Sequence, residues 1–337
     1  MKAIRFKGYG VLQEMISLDE IPVPVPADND VLVRIVAASI NPVDYKIVGG
    51  SMKLLHRFPL PQTLGFDFSG EVSGLGKAVS DYKIGDLIYG RVGDLHPGTF
   101  AEYICTETKY IAPKPKNLSH EEAACIPLVG QTTVQALSII CEAKAGQKIL
   151  IHAGSGGIGV FAIQYAKYLK MHVAATTSTA NVAWVKSLGA DEVIDYKTQN
   201  YLELIKDYDL VYDTLGGKTK LVSMQVLKPG GKLVSIVGPP DKAFAIRMKL
   251  GFFLRIFLTL MNLKINSTAK KYRIQYYYWL MQSDGKLLAE MTQFIEAGAI
   301  KVFIDKTFPL SETLKALEYV KAGRTKGKVV IKMVEGA

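Results

Sequence analysis

The sequence predicts an α/β protein in which a doubly wound parallel sheet is joined to a second, β-rich domain. A glycine-rich turn follows a short apolar run at 149–151 and precedes a helical pattern at 160–170. From about residue 125, short apolar strand patterns alternate with helical patterns, which is typical of a parallel sheet covered by helices. Before that, short strand patterns alternate with Gly/Pro turns, which indicates a compact β-rich domain.

The β-rich pattern occupies the first part of the chain. Its predicted strands are 3–6, 30–35, 68–72, 87–89 and 100–105. Ser119, followed three residues later by Glu122, is typical of a capped helix start and marks the change of pattern. The tail ends in a predicted strand at 328–333, which most economically rejoins the first domain. We therefore assign residues 1–124, completed by 302–337, to the β-rich domain and 125–301 to the sheet domain.

The sheet domain contains the alternating elements. Its predicted strands are 149–151, 172–176, 192–194, 210–212, 232–237 and 276–280, and its predicted helices include 160–170 and 181–188. Neither an internal repeat nor a low-complexity segment interrupts this alternation.

Composition narrows the possible partners. The 337 residues are 49% hydrophobic and 21% charged, as in an ordinary globular protein. Eight of the ten net positive charges lie between Lys242 and Arg273, a segment without acidic residues, so we expect no general nucleic-acid face. The three cysteines form no C-x-x-C pair, which fits a reducing, cytoplasmic location. The first ten residues resemble a short charged strand rather than a signal peptide.

The glycine-rich turn is the clearest candidate for a binding site. It has G-x-G-x-x-G spacing and consists of Gly154, Ser155, Gly156, Gly157, Ile158 and Gly159. Such a turn lets backbone N–H groups and a helix N-terminus approach a pyrophosphate, where the helix dipole favours negative charge. In its strand–turn–helix context it predicts a dinucleotide site.

The strand after the glycine helix indicates which dinucleotide binds. In a site that prefers NAD, an acidic residue ends this strand and accepts hydrogen bonds from the ribose hydroxyls. Here the strand is followed by Thr177, Ser178 and Asn181, and no Asp or Glu is present. These side chains can donate hydrogen bonds to a 2′-phosphate, so we expect NADPH. The hydroxyls at 177–179 can equally cap the next helix, and the two roles can coexist.

Further motifs extend over nearly the whole chain. They are NPVD at 41–44, GFDFSG at 65–70, GD at 85–86, GTFAEY at 98–103, GQTT at 130–133, LGAD at 188–191, DY at 195–196 and GRTKGK at 323–328. With the glycine turn, they resemble the medium-chain dehydrogenase/reductase superfamily, in its zinc-free quinone oxidoreductase-like branch. The resemblance implies a GroES-like catalytic domain, a Rossmann domain and an active-site cleft between them.

The resemblance also allows the zinc-binding positions of the superfamily to be compared with this chain. The superfamily's zinc alcohol dehydrogenases bind catalytic zinc through a Cys, the His of a G-H-E motif and a later Cys. The matching positions here are Asn41, Phe66 and Val129, which in combination are not zinc ligands. The loop 90–98 is short and lacks the cysteines of a structural zinc site. We therefore expect no metal, and a structural role for Asp67.

The resemblance assigns catalytic positions in part. Asn41 is similar to the family's asparagine near the nicotinamide. Many members carry a tyrosine five residues later, where this chain has Lys46, preceded by Tyr45. Either side chain can donate a proton to the substrate oxygen, and either can equally be a rim residue facing water.

Other cofactor positions follow from the same resemblance. Thr132 and Thr133 resemble residues that face the nicotinamide ribose, although they can also simply cap a helix. Tyr196 resembles a tyrosine beside the 2′-phosphate, although a lone tyrosine at a strand end often only packs. Val237 and Gly238 lie after a strand, at the edge of the sheet where ligands bind, and Arg324 can reach the cofactor.

These residues predict a zinc-independent, NADPH-dependent oxidoreductase. Without a Lewis acid, hydride delivery requires an already electrophilic carbon, as in a quinone or an α,β-unsaturated carbonyl. The alternatives are an enoyl-thioester reductase and a non-catalytic NADPH-binding sensor. We expect a homodimer.

The segment 248–263 is the least typical of the family. Arg255, Thr259, Asn262 and Asn266 form one narrow polar stripe at helical spacing and leave a wide apolar face. The segment is too short to span a bilayer. It can roof an apolar substrate pocket, line a subunit interface or lie on a membrane surface with its lysines toward anionic lipid. The first two possibilities are favoured, because wide apolar faces are usually buried by protein.

Overall fold

The computed structural model describes residues 1–53, 56–93 and 96–333 and divides into two compact units. Unit 1 comprises Met1–Gln131 and Gln282–Ala337, and unit 2 comprises Thr132–Met281. The predicted completion of the first domain by 302–337 runs past the last described residue, Met333, and the loop 90–98 includes two residues outside the described ranges.

The unit boundaries differ from the predicted domain boundaries of 124/125 and 301/302. Helix Gly285–Glu296, which the sequence analysis placed in the sheet domain, packs within unit 1. The Tyr89 hydroxyl donates to the Leu288 carbonyl oxygen at 2.8 Å, and Asn117 Nδ2 donates to the Ile295 carbonyl oxygen at 2.9 Å. A helical pattern alone does not show which core a helix covers, so these contacts could not be anticipated.

The strands of the described residues follow the alternation expected from the sequence. They are β1 (Lys2–Phe6), β2 (Ile16–Glu20), β3 (Asp30–Ile40), β4 (Gln62–Thr63), β5 (Asp67–Leu75), β6 (Leu87–Arg91), β7 (Tyr103–Glu107), β8 (Ile111–Pro113), β9 (Lys148–Ile151), β10 (His172–Thr177), β11 (Glu192–Asp195), β12 (Tyr208–Asp213), β13 (Leu227–Ser235), β14 (Gln275–Tyr278), β15 (Ile304–Pro309) and β16 (Lys328–Lys332).

The helices are mostly short and are concentrated in the second half of the chain. They are α1 (Leu12–Met15), α2 (Pro42–Val48), α3 (His120–Ala124), α4 (Pro127–Val134), α5 (Gly157–Tyr168), α6 (Val182–Ser187), α7 (Tyr201–Leu204), α8 (Gly217–Ser223), α9 (Lys242–Arg247), α10 (Phe252–Met261), α11 (Leu263–Tyr272), α12 (Gly285–Glu296) and α13 (Thr313–Lys321). A π-helical segment, Gln135–Ile140, continues α4.

Unit 2 is built on a six-stranded parallel sheet in the order β11-β10-β9-β12-β13-β14. The chain builds β9, β10 and β11 toward one edge and then returns to the other side of β9 with β12. This reversal creates a switch point at the carboxyl end of β9, where ligands bind in open parallel sheets. Ile149, Leu150 and Ile151 are completely buried, because β9 is central and helices cover both faces of such a sheet. The predicted fold class is confirmed.

Unit 1 is β-rich, with a seven-stranded sheet and a smaller three-stranded sheet among its described residues. The long strand β3 is the centre of the larger sheet, since it pairs with β5, β7 and β16. Its alternating buried residues, including Val31, Val33 and Ile35, form the core with Phe66 and Phe68. The tail strand β16 pairs antiparallel with β3 and so belongs to unit 1.

Helix starts agree with the capping signals in the sequence. Ser119 caps α3 in a complete capping box, with Ser119 Oγ accepting from the Glu122 N–H and Glu122 accepting from the Ser119 N–H.

The expected helix over 248–263 is wrong in one respect, because it ends at Met261 and a new helix starts at Leu263. Asn262 Nδ2 donates to the Leu258 and Pro240 carbonyl oxygens at the break, and Asn266 lies in α11, exposed.

Candidate functional site

The glycine turn lies at the carboxyl end of β9, at the switch point of the unit 2 sheet. The chain leaves β9 through His152 and Ala153, and the Gly154 N–H donates to the Thr176 carbonyl oxygen on β10 at 2.9 Å. Helix α5 then begins at Gly157, after Gly156 at its N-cap. The structure therefore places the predicted turn residues, including Ser155 and Ile158, around the N-terminus of one helix.

The packing of the protein itself requires a glycine at one position of the turn and leaves little space at a second. A Cβ on Gly159 would lie 2.3 Å from the Ala153 carbonyl oxygen, so α5 can approach the end of β9 only if this position has no side chain. A Cβ on Gly154 would lie 3.1 Å from Ala175 Cβ and 3.2 Å from Ile163 Cδ1, which is tight but not prohibitive. Gly159 therefore serves helix–strand packing.

Gly156 differs from the other two glycines. Its φ of −80° suits any residue, and an added Cβ would be 3.5 Å from the Ala153 carbonyl oxygen, an ordinary contact. The fold therefore has room here that it does not use. The first N–H groups of α5 have no acceptor within the helix, and a glycine N-cap has no side chain to satisfy them. Open space beside unsatisfied donors fits the pyrophosphate of a dinucleotide.

The residues expected around a 2′-phosphate are brought together beside the end of β10. The Tyr196 N–H donates to the Thr177 carbonyl oxygen at 3.1 Å, and Asn181 Nδ2 donates to Ser178 Oγ at 3.2 Å. Tyr196 is 60% exposed. Thr177 Oγ1 and Asn181 Oδ1 are buried without a hydrogen-bond partner within the part of the chain that the structure describes. Buried polar atoms rarely stay unpaired, so this loop also fits a polar ligand.

An acidic residue that was not expected from the sequence lies beside this loop. Asp195 ends β11 and lies opposite Thr177 in the parallel register. Its carboxylate accepts from the Lys197 N–H at 3.0 Å, and hydrogen bonding to the Thr179 side chain is the main reason that its pKa is below the usual value. The search for an acid covered only the end of β10. The parallel pairing of the next strand, which ends in Asp195, was the signal that could have revealed it.

A buried lysine holds the turn that contains Val237 and Gly238. Lys220 on α8 is 1% exposed, and its Nζ donates to the Val237 carbonyl oxygen at 2.6 Å and the Gly238 carbonyl oxygen at 3.2 Å. The Tyr276 hydroxyl is 3.3 Å away. Burial lowers the Lys220 pKa, while Asp213 and Asp241 act in the opposite direction. The sequence carried no signal for this role, because α8 has an exposed lysine at position 218 as well.

The neighbouring strand ends are also fixed by buried hydrogen bonds. Asp213, at the end of β12, accepts from the Gly216 N–H at 2.8 Å and from Ser235 Oγ at 2.6 Å. His152 follows β9 and contacts Thr176 Oγ1 at 3.0 Å and Ser223 Oγ at 2.7 Å. Burial lowers the His152 pKa to about 4, so the imidazole is neutral at physiological pH. The carboxyl edge of the sheet is therefore a stiff support for a ligand.

The remaining predicted cofactor residues lie elsewhere. Thr132 and Thr133 are buried on α4. Arg324 is exposed in the turn between α13 and β16, in unit 1. Their roles stay predictions from the family resemblance.

In unit 1, the predicted catalytic Asn41 is buried in a polar network. Its Nδ2 donates to Asp67 Oδ2 at 2.8 Å, and its Oδ1 accepts from Lys328 Nζ at 2.5 Å. Lys328 Nζ also donates to the Ile40 carbonyl oxygen at 3.1 Å and lies 3.7 Å from Asp67 Oδ2. The network thus joins β3, β5 and the tail strand β16. The sequence analysis had Asp67 as structural but did not anticipate Lys328.

The two candidate proton donors occupy different environments on α2. Tyr45 is half-buried, and burial raises the pKa of its phenol, which therefore stays protonated at neutral pH. Lys46 is exposed. The helix begins with a capping interaction in which the Asn41 N–H donates to Asp44 Oδ2 at 2.7 Å.

The positions that match zinc ligands do not form a metal site. Phe66 is buried beneath the Arg91 guanidinium, which lies 4.9 Å from its ring centre, and Val129 is buried. Among the described residues, no group of three or more His, Cys, Asp or Glu side chains is arranged to bind a metal ion. Asn41 is already paired with Asp67 and Lys328. The donor set does not fit zinc, and no step of the chemistry below uses it.

A parallel sheet with a glycine turn at its switch point, in a chain that also contains a β-rich unit, defines a dinucleotide-binding oxidoreductase architecture. Residues 27–116 match the family described as alcohol dehydrogenase GroES-like domain, and residues 188–331 match the family described as zinc-binding dehydrogenase. The 2-methylene-furan-3-one reductase of Solanum lycopersicum and the chloroplastic NADPH-dependent alkenal/one oxidoreductase of Arabidopsis thaliana are each 34% identical over 344 residues, covering 98% of this chain and 79% of theirs.

A solved structure agrees over the whole length. The quinone oxidoreductase from Coxiella burnetii is 34% identical, with a TM-score of 0.85 and 99% of both chains covered. The chain therefore belongs to the medium-chain dehydrogenase/reductase superfamily, in its quinone oxidoreductase-like branch. This branch is a family of NAD(P)H-dependent quinone and alkenal oxidoreductases.

The buried Asp44 gives stability a pH dependence. Burial raises the pKa of Asp44 from 3.8 to about 7, so the folded state favours the neutral acid. This contribution to the free energy of unfolding is fully present below pH 4 and is lost as the pH rises from 4 through 7. The loss amounts to up to about 4 kcal/mol. Asp44→Asn keeps the acceptor for the Asn41 N–H and removes the titration. Denaturant unfolding from pH 4 to pH 8 should show the variant gaining stability relative to the parent as the pH rises. The exposed Asp28→Asn change should show no such gain, and a parallel pH profile for Asp44→Asn would contradict the assignment.

Lys220 should support both stability and cofactor binding. Lys220→Met leaves the Val237 and Gly238 carbonyl oxygens without their donor, at a cost of about 1–3 kcal/mol. We expect a corresponding loss in the free energy of unfolding and at least threefold weaker NADPH binding in a fluorescence titration. Lys218→Met, on the exposed side of the same helix, is the matched control. Equal behaviour of the two variants would show that Lys220 does not position this turn.

Proposed function

We propose that this protein is a zinc-independent, NADPH-dependent oxidoreductase that reduces quinones or the conjugated double bond of α,β-unsaturated carbonyls. The observation that carries the proposal is the environment of Asn41. At the position where zinc-dependent relatives have a ligand, this chain has an amide bound to Asp67 and to the Lys328 ammonium. The positive charge at this position is therefore the Lys328 ammonium, which already donates to buried acceptors. An ammonium group cannot act as a Lewis acid.

Because these side chains do not form a zinc site, the acceptor must react without metal activation. When bound, the reduced nicotinamide supplies a hydride, and an acceptor conjugated to a carbonyl takes it up without metal activation because the developing charge spreads onto oxygen. One relative is named for reduction of alkenals and alkenones, and the other for reduction of a methylene-furanone. Both names describe conjugated acceptors of the proposed kind.

The chain's own residues supply binding, orientation and a proton. We assign the pyrophosphate to the α5 N-terminus at Gly156, and the 2′-phosphate to the Thr177–Ser178 loop with Asn181 and Tyr196. Lys220 holds the Val237–Gly238 turn in place. The proton for the reduced substrate comes from Tyr45, whose phenol stays protonated, or from the exposed Lys46.

Two further expectations belong to this proposal. Cys105, Cys125 and Cys141 are free thiols, in agreement with action in a reducing compartment such as the cytoplasm. A homodimer is also proposed, because β14 is an edge strand of the unit 2 sheet and pairs there only with β13 among the described residues.

The activity is tested by NADPH oxidation with quinones, alkenones, simple aldehydes and an enoyl thioester. We expect turnover of quinones or alkenones, no reduction of simple aldehydes, and loss of about 10²-fold in kcat for either Tyr45→Phe or Lys46→Met, whichever removes the donor. Tight NADPH binding without turnover of any acceptor would identify a sensor instead. Preference for the thioester would identify an enoyl-thioester reductase.

The cofactor preference is tested in the same assay by adding an acid to the loop. Ser178→Asp places a carboxylate where the 2′-phosphate is assigned, so NADPH should bind about tenfold more weakly while NADH binding is maintained or improved. Ser187→Asp adds the same charge at the exposed end of α6 and serves as the control. Equal affinity of the parent protein for NADH and NADPH would refute the assignment.

A further inference from the structure

Helix α10 is oriented with its apolar side chains toward solvent. Phe252 is 70% exposed and Phe253 is 85% exposed. The same side of the helix carries further exposed apolar residues, which are Ile256, Phe257, Leu260 and Met261. At 100° per residue, these six positions cover one continuous half of the helix. We call them the apolar face.

The polar stripe of the same helix points into unit 2. Arg255 Nε donates to the Leu250 carbonyl oxygen at 2.6 Å, and Thr259 Oγ1 donates to the Arg255 carbonyl oxygen at 2.8 Å. Asn262 is buried, and its Nδ2 donates to the Pro240 carbonyl oxygen at 2.7 Å. Leu258 is buried on this side as well. The bond from Asn262 to Pro240, with the burial of Asn262 and Leu258, fixes the rotation of the helix, so the outward apolar face is a property of the fold.

Exposed apolar residues extend beyond both ends of α10. Ile246 and Met248 before the helix and Leu263 after it are exposed too, so the patch is continuous along the chain. Proteins that stay free in solution rarely expose such patches, and those that do use them for binding. The sequence analysis favoured burial of this face by protein. Within the chain, the structure leaves it exposed.

The charge around the apolar face has one sign. Lys249 precedes α10, Lys264 follows it, and both are exposed. Of the remaining cations of the segment, Arg255 lies on the polar stripe of α10, and the others lie on α9, on α11 and just after α11. No acidic residue occurs between Lys242 and Arg273. An outward apolar helix with lysines at its ends matches helices that lie in the interface of an anionic bilayer.

We propose that the apolar face docks on a membrane surface that contains anionic lipid. The helix lies in the plane of the interface, with its phenylalanines among the acyl chains and its lysines near the headgroups. Charge favours this occupant over a second copy of the chain. In a symmetric dimer the same surface meets itself, so Lys249 and Lys264 would lie close to their copies without an acidic partner in the segment.

Docking on the surface is the form of membrane contact that the helix lengths allow. Every helix of the described residues is too short or too polar to span a bilayer. Helix α10 has ten residues, about 15 Å along its axis, which covers half of the hydrocarbon thickness at most. The proposal does not depend on the enzymatic activity, so each can fail without the other.

The test is co-sedimentation of the full chain with phosphatidylcholine vesicles, with and without phosphatidylserine. We expect binding that requires phosphatidylserine and weakens as salt is raised. Phe252→Gln together with Phe253→Gln should weaken binding at least tenfold. The control pair, Val25→Gln and Ile84→Gln, removes two exposed apolar residues from unit 1 and should bind as the parent does.

A second pair of variants tests the charge. Lys249→Gln with Lys264→Gln should weaken binding about fivefold per lysine, because a basic residue near an anionic surface contributes about that factor. Lys77→Gln with Lys321→Gln removes the same charge from exposed positions in unit 1 and should have little effect. NADPH titration and circular dichroism confirm that each variant is folded.

Three results would overturn the proposal. The first is the absence of binding to vesicles of either composition. The second is normal vesicle binding but loss of turnover in the Phe252→Gln/Phe253→Gln variant, which would make the face a roof over the substrate pocket. The third is a difference in oligomeric state between the Phe252→Gln/Phe253→Gln variant and the parent in light scattering, when the parent does not bind vesicles. This result would make the apolar face a subunit interface.

Discussion

The close approach of helix α5 to the end of β9 is the contact on which the candidate site depends. It requires a residue without a side chain at Gly159, since a Cβ there would lie 2.3 Å from the Ala153 carbonyl oxygen. This packing aims the N-terminus of the helix at the switch point of the sheet. It also leaves an open position at Gly156 beside donors that the helix does not satisfy. The packing of α5 on β9 and the proposed binding of the cofactor therefore depend on the same six-residue turn.

Buried charged groups lie at the candidate site residues of both units. In unit 2, Lys220 holds the Val237–Gly238 turn, and Asp213 ties the end of β12 to Ser235 on β13. In unit 1, Lys328 brings a cation from the tail to Asn41 and Asp67. Such groups are costly to bury unless they are paired. Their pairing favours a site with fixed geometry.

Sequence reasoning identified the fold class and the glycine turn, because strand–helix alternation and glycine spacing are local signals. It also grouped Thr177, Ser178, Asn181 and Tyr196 around the expected 2′-phosphate. It did not find Asp195 beside Thr177 or Lys220 beside Gly238, because both contacts depend on how distant segments pack together. It expected the apolar face of α10 to be covered by protein, since periodicity shows that a helix has two faces and not which one turns inward.

The most direct test of the central claim compares two alanine substitutions in the turn. Gly156→Ala should keep the parent's free energy of unfolding within about 0.5 kcal/mol, because the added methyl meets only an ordinary contact. Its NADPH affinity, measured by fluorescence titration, should fall at least tenfold, since the methyl occupies the space assigned to the pyrophosphate. Gly159→Ala should instead destabilise the fold itself. Undiminished NADPH binding by a stable Gly156→Ala protein would contradict the assignment of this turn as the cofactor site.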